Sequence, residues 1–200
     1  MSELNKDWRP GFGIIYTWFA MDKNGKVAVM VNNCFGNLPR VLLELESVEL
    51  LLDKLTEFVW EESPVYTSYP DNKEGRFGVD YYSSWRNSER LSKELIFEKL
   101  NSDLVGLGAY AEANLSANKG LFVYHAVEGS KPGQDYPAGY VGVTSMGDYY
   151  RYLVPGDYAS IEDFPSELRK GIVVSKVLDF LSDRILYSDR VDEYFSSVYK

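Results

Sequence analysis

Residues 12 to 31 read FGIIYTWFAMDKNGKVAVMV. Two runs rich in β-branched and aromatic residues, Phe12 to Met21 and Val27 to Val31, flank the polar stretch Asp22-Lys23-Asn24-Gly25-Lys26. Such residues suit a pleated, half-buried surface. Asn24-Gly25 can supply the two positive φ values of a type I′ turn, whose twist matches that of the strands it joins. The stretch predicts a β-hairpin. Asp22 and Asn24 do not make the loop a calcium site, because it has no third ligand, no glycine at the required position and no closing glutamate.

Immediately downstream, Pro39 to Glu62 predicts one long helix. Val41, Leu45, Val48, Leu52, Leu55 and Val59 recur every three or four residues and stack on one side. Pro39 can open it, since its missing N–H would have no partner in the first turn. Ser63-Pro64 closes it. Beyond it, Tyr69-Pro70-Asp71-Asn72, Gly75 and Gly78 read as turns around one or two strands. A second helix is expected over Glu89 to Leu104, through Leu91, Leu95 and Leu100, with Ser88 as cap. Leu121 to Val127 and Tyr149 to Val154 read as strands, and Gly129 to Pro137 as a polar loop. Asp163-Phe164-Pro165 reads as the start of a short helix ending near Gly171. Ser175 to Tyr199 has a helical bias around Val177 to Leu186. Strands and helices are interspersed without strict β-α-β alternation. The expected class is α+β: one globular domain, residues 1–200, with a mainly antiparallel sheet and an N-terminal hairpin packed against helices.

The composition of the 200 residues excludes several roles. A formal net charge of −9 argues against a nucleic-acid ligand, which needs clustered Lys and Arg, and against an anionic membrane surface. It permits a basic protein partner. No apolar run reaches the ~20 residues needed to span a bilayer. MSELNKDWRP lacks the basic-then-apolar layout of a signal peptide, so a cytoplasmic location is expected. With 16 Tyr, 10 Phe and 4 Trp, aromatic side chains are plentiful enough to furnish a wet binding surface.

Chemistry-bearing residues are few. The chain has one His, His125, and one Cys, Cys34. Far apart in sequence, they cannot build a zinc site. No metal and no other cofactor is expected. His125 lies in an apolar strand pattern and reads as a satisfied core or sheet-face histidine. No Gly-x-Ser-x-Gly elbow is present to make a nucleophile. Gly106-Leu107-Gly108-Ala109-Tyr110-Ala111 has the form of a dinucleotide fingerprint, but no buried strand precedes it, and chance explains it better. Paired carboxylates could serve a glycosidase, yet any acidic protein offers many pairs.

One acidic pattern is sharper. Glu49, Asp53, Glu57 and Glu61 follow one another at i, i+4 along the expected helix, beside Glu46 on one exposed flank. Each like-charge neighbour costs about 0.2–0.5 kcal/mol. Such a row is ordinarily a solvated face, or one paired with bases elsewhere in the fold. The alternative is a docking face for a basic partner, whose association complementary charge would speed.

Two segments look familiar. In Tyr16 to Pro39, the residues Trp18-Phe19-Ala20-x-Asp22, then Lys23, Gly25 and Ala28, then Gly36 and Pro39, form one pattern. Gly120 to Tyr124, Tyr150 to Pro155 and Ile161-Glu162-Asp163-Phe164-Pro165-Ser166-Glu167-Leu168 form another. Together they span about half of the chain, and they resemble a group of small bacterial immunity proteins of polymorphic toxin and contact-dependent growth inhibition systems. The chain departs from that group in having Phe164 in place of Leu and an inserted loop from Gly129 to Ala138. The resemblance implies a non-enzymatic protein that binds a cognate toxin and covers its active surface. The group supplies no catalytic residue to transfer, and its interfaces diverge with their toxins. A basic nuclease domain would suit the acidic flank. The rival is a small carboxylate-dependent hydrolase, or a module binding a small ligand in a tyrosine-lined cleft. A deep pocket with two close carboxylates of raised pKa would favour that rival, and a flat acidic surface the inhibitor.

Overall fold

The computed structural model describes residues 4–69, 76–107 and 112–200. Among the described residues the strands are β1 (Thr17–Met21), β2 (Val27–Val31), β3 (Phe77–Val79), β4 (Tyr82–Ser83), β5 (Phe122–Ala126), β6 (Pro137–Ala138), β7 (Tyr149–Pro155), β8 (Ile172–Val174), β9 (Ile185–Leu186) and β10 (Ser197–Val198). Six α-helical segments accompany them: α1 (Arg40–Leu43), α2 (Val48–Val59), α3 (Lys93–Leu107), α4 (Glu112–Asn118), α5 (Ser166–Arg169) and α6 (Val191–Tyr194). The fold is α+β. Its main sheet has the order β10-β8-β1-β2-β5-β7-β3, with β9 also on β7, and β4 pairs β6 separately. All pairings are antiparallel except β1 with β8 and β2 with β5.

The hairpin β1-β2 lies at the centre of this sheet, which explains its apolar character on both faces. Register sets Trp18, Met30 and Tyr124 side by side on one face, and Phe19, Val29 and Val123 on the other. The first face is roofed by the C-terminal segment. Phe195 meets Trp18 edge-on, and Phe180 packs on Tyr124. The Trp18 indole N–H donates to the Tyr149 hydroxyl at 3.1 Å, which in turn donates to the Asn37 carbonyl. On the second face α2 lies over β1, and Phe58, Phe164 and Phe19 form a chain of rings. At its other end α4 covers β5 and β7, while α3 lies outermost against β3 and α4.

Five expectations need correction. The hairpin turn is not type I′: only Gly25 has positive φ (+80°), while Gly25 N–H closes the Asp22–Gly25 turn and the Asp22 carboxylate accepts from Asn24 and Lys26 N–H. A turn followed by a left-handed glycine is the alternative hairpin solution. Strand β1 begins at Thr17, and Phe12 and Ile15 lie exposed before it.

The long helix is two helices. Ser47 is left-handed (φ 54°) and separates α1 from α2, which lets α1 turn toward β10 while α2 packs on β1. The helix expected from Glu89 begins at Lys93 instead. The Asn87 side chain bonds both the N–H and the carbonyl of Leu91, Arg90 is left-handed, and Ser92 in place of Ser88 starts the helix. Its inner face is therefore Ile96, Leu100 and Leu104, with Leu95 exposed.

The helical bias from Val177 to Leu186 gives way to turns. Ser175, Asp179 and Asp183 side chains capture the N–H groups of Leu178, Leu181 and Asp179 that a helix would use. Pro70 to Gly75, the middle of the expected turn region, and Gly108 to Ala111 of the fingerprint-like run lie outside the described residues.

Candidate functional site

Helix α2 brings three of the five acidic candidates together. Glu49, Asp53 and Glu57 are spaced i, i+4 along it, with Asp53 exposed and the other two half-buried. Burial, then the charges of Glu49 and Glu57, hold the Asp53 carboxyl above its ordinary value. Glu49 also accepts from Leu4 N–H at 3.3 Å and from the Tyr16 hydroxyl at 3.5 Å. Among the described residues, no Lys or Arg forms an ion pair with any of the three.

The other two candidates do not join the row. Glu46 precedes the helix and lines a shallow depression with Lys54 and Lys170. Glu61 follows the helix in a left-handed conformation (φ 62°), and its carboxylate pairs with the buried ammonium of Lys119.

The inward-facing carboxylates hold loops together. Asp22 accepts from Phe180 N–H as well as from its own turn. Asp135 accepts from Ser83, Trp85 N–H and Glu128 N–H, and Asp148 from Ser145 and Ser188 N–H. Asp80 takes hydrogen bonds from Arg151 (2.7 Å) and Arg184 (2.9 Å). Buried charges are stable only when paired or bonded in this way.

A second constellation sits between α3 and the strands β5 and β7. A cleft of about 240 Å³ opens there, its floor made by His125, Tyr150 and Tyr152 and its walls by Tyr82, Ile96 and Leu100. The His125 ring lies 4.9 Å from that of Tyr152 and 6.3 Å from that of Tyr150. A bulge between Val123 and Tyr124 shifts the β5-β7 register and leaves Tyr152 without a Cα partner on β5, so that both tyrosines reach the histidine. Burial, aided by the charge of Arg86, pushes the His125 imidazole down to about 3. The ring is therefore neutral near pH 7. Burial likewise raises the phenol of Tyr152 to about 12 and that of Tyr150 well above its usual value.

Three charged residues line the same cleft. Arg86 is held in a two-pronged pair by the buried Glu128, with Nη2 to Oε2 at 3.0 Å. Lys99 and Asp103, one turn apart on α3, bring opposite charges. Asp103 is the one carboxylate lining the cleft among the described residues, so the close carboxylate pair that a hydrolase would need is not assembled there.

Sequence reasoning placed His125 in the core or on a sheet face as a satisfied histidine, and named a tyrosine-lined cleft only as a rival reading without locating it. The imidazole has no hydrogen-bond partner among the described residues. The traces were a lone histidine in LFVYHAV and the run YYRY. Among the described residues, no three His, Cys, Asp or Glu side chains converge as metal ligands, and no helix is long and apolar enough to cross a membrane. Compared with protein-family models, curated proteins and solved structures, the chain matches none.

Proposed function

We propose that the chain is an immunity protein, acting in the cytoplasm by binding a cognate toxin and covering its active surface. The observation that carries this is the row Glu49, Asp53 and Glu57. Three like charges stand beside one another with no cation of the described residues paired to them, and the fold bears their repulsion. A basic surface would relieve it. A nuclease must be basic where it grips phosphate, so the row would stand where the nucleic acid lies. The resemblance of Tyr16 to Pro39 and of the later segments to immunity proteins supports the same reading.

The test is co-expression with the toxin encoded beside this chain, together with association kinetics. Asp53→Lys with Glu57→Lys reverses the exposed Asp53 and the half-buried Glu57. Glu49→Gln is the milder third change, because Glu49 also bonds Leu4 and Tyr16. The triple variant is expected to keep its thermal midpoint, to lose protection and to associate at least about tenfold more slowly at low salt. Added salt should slow the wild type and leave the variant nearly unchanged. Full protection by a variant of wild-type stability would overturn the docking role of the row.

A further inference from the structure

We propose that the cleft beneath α3 is a binding site for a small, uncharged, planar aromatic molecule carrying a hydrogen-bonding group, of one or two rings. Nothing in it overlaps the acidic row, so the inference stands apart from the toxin-binding reading.

The floor carries polar groups that the protein leaves open to the cleft. Tyr150 is buried as a residue, but its hydroxyl has no hydrogen-bond partner among the described residues and is not among their sealed, unpartnered atoms, so it faces the open space. Neither the Tyr152 hydroxyl nor either nitrogen of His125 has such a partner. Polar groups that reach an open cleft without a protein partner can bond water there, or a guest that displaces it. The groups converge on one open space, where an occupant with a donor or acceptor on a ring edge would meet both phenols and the imidazole.

Shape and charge narrow the occupant. The walls are Tyr82 and the aliphatic Ile96 and Leu100, which favour a flat apolar body. At about 240 Å³ the space lies below the usual range for drug-sized ligands, which limits the guest to one or two rings. Arg86 is neutralised by Glu128, and Lys99 and Asp103 oppose each other. The cleft therefore selects for neither anion nor cation.

The single histidine makes the test direct, because its imidazole proton signals in NMR belong to His125 alone. Phenol, toluene and inorganic phosphate are titrated separately. Phenol should shift the His125 signals saturably in the millimolar range, and toluene should bind about 2- to 10-fold more weakly, the worth of one hydrogen bond. Tyr150→Phe should hold the thermal midpoint, since its hydroxyl bonds none of the described residues, while erasing most of the preference for phenol. Three results would each overturn the proposal: no saturable response to phenol, a response to phosphate alone, or an unchanged phenol preference in Tyr150→Phe. A clear fall in the thermal midpoint of that variant would overturn it too, because the hydroxyl would then be structural.

Discussion

Asp80 ties together parts of the chain that are distant in sequence. It accepts from Arg151 on β7 and from Arg184 just before β9, while Arg151 also donates to the carbonyls of Phe180 and Leu181 at 2.6 and 2.7 Å. Burial alone would raise the Asp80 carboxyl. Hydrogen bonds from Arg184 and the charge of Arg151 outweigh that and hold it below the ordinary value of 3.8. A carboxylate depressed on folding adds stability above its unfolded pKa, and that stability is lost as pH falls through the folded value. Asp80→Asn leaves the buried Arg151 guanidinium without its counter-charge, while the half-exposed Arg184 can turn to water, and is expected to cost about 3 kcal/mol near pH 7. The deficit against wild type should shrink as the pH is lowered below about 4. Urea unfolding from pH 7 down to pH 2 measures both, and a deficit that stayed constant with pH would show that shape, not charge, is what Asp80 contributes.

The two longer helices differ in how they are held. Six of the twelve residues of α2 are buried, including Leu52, Leu55 and Phe58. No residue of α3 is buried, and Phe97, Val105 and Leu107 are exposed apolar side chains on it. Local opening should therefore be easier in α3. Its amides are expected to exchange with solvent about two orders of magnitude faster than those of α2, an opening free energy about 3 kcal/mol lower. Equal protection of the two in hydrogen exchange would contradict this.

The same contrast explains what was legible in the sequence. The hairpin, β5 and β7 were visible because β-branched and aromatic residues cluster in them. The divisions at Ser47 and Arg90 were not, since a left-handed serine or arginine carries no mark as a glycine does. Of the acidic candidates, Glu49, Asp53 and Glu57 came together because i, i+4 spacing is local, whereas Glu61 was diverted by Lys119, a residue far along the chain. The cleft was hidden for the same reason: it exists only because α3 lies across strands from the second half of the protein.

At the scale of the whole molecule, the short C-terminal strand closes the sheet. β10 pairs with β8, and Tyr199 N–H donates to the Ile172 carbonyl at 2.8 Å. β8 is an apolar strand, and without β10 its edge would be an open template for pairing. Deleting residues 197–200 is expected to leave a folded protein that self-associates with rising concentration, read by sedimentation velocity. A variant that stayed monomeric throughout would show that the edge is protected in another way. The central position of Trp18 has a consequence for biosynthesis. Its hydroxyl partner Tyr149 lies 131 residues further along the chain, and Phe195, which roofs it, comes later still. At about 5–20 residues per second, a ribosome spends on the order of ten seconds between delivering Trp18 and delivering its roof. Throughout that interval one face of the nascent hairpin is bare apolar surface, a client for chaperones, and this part of the core can close only once Phe195 has left the exit tunnel.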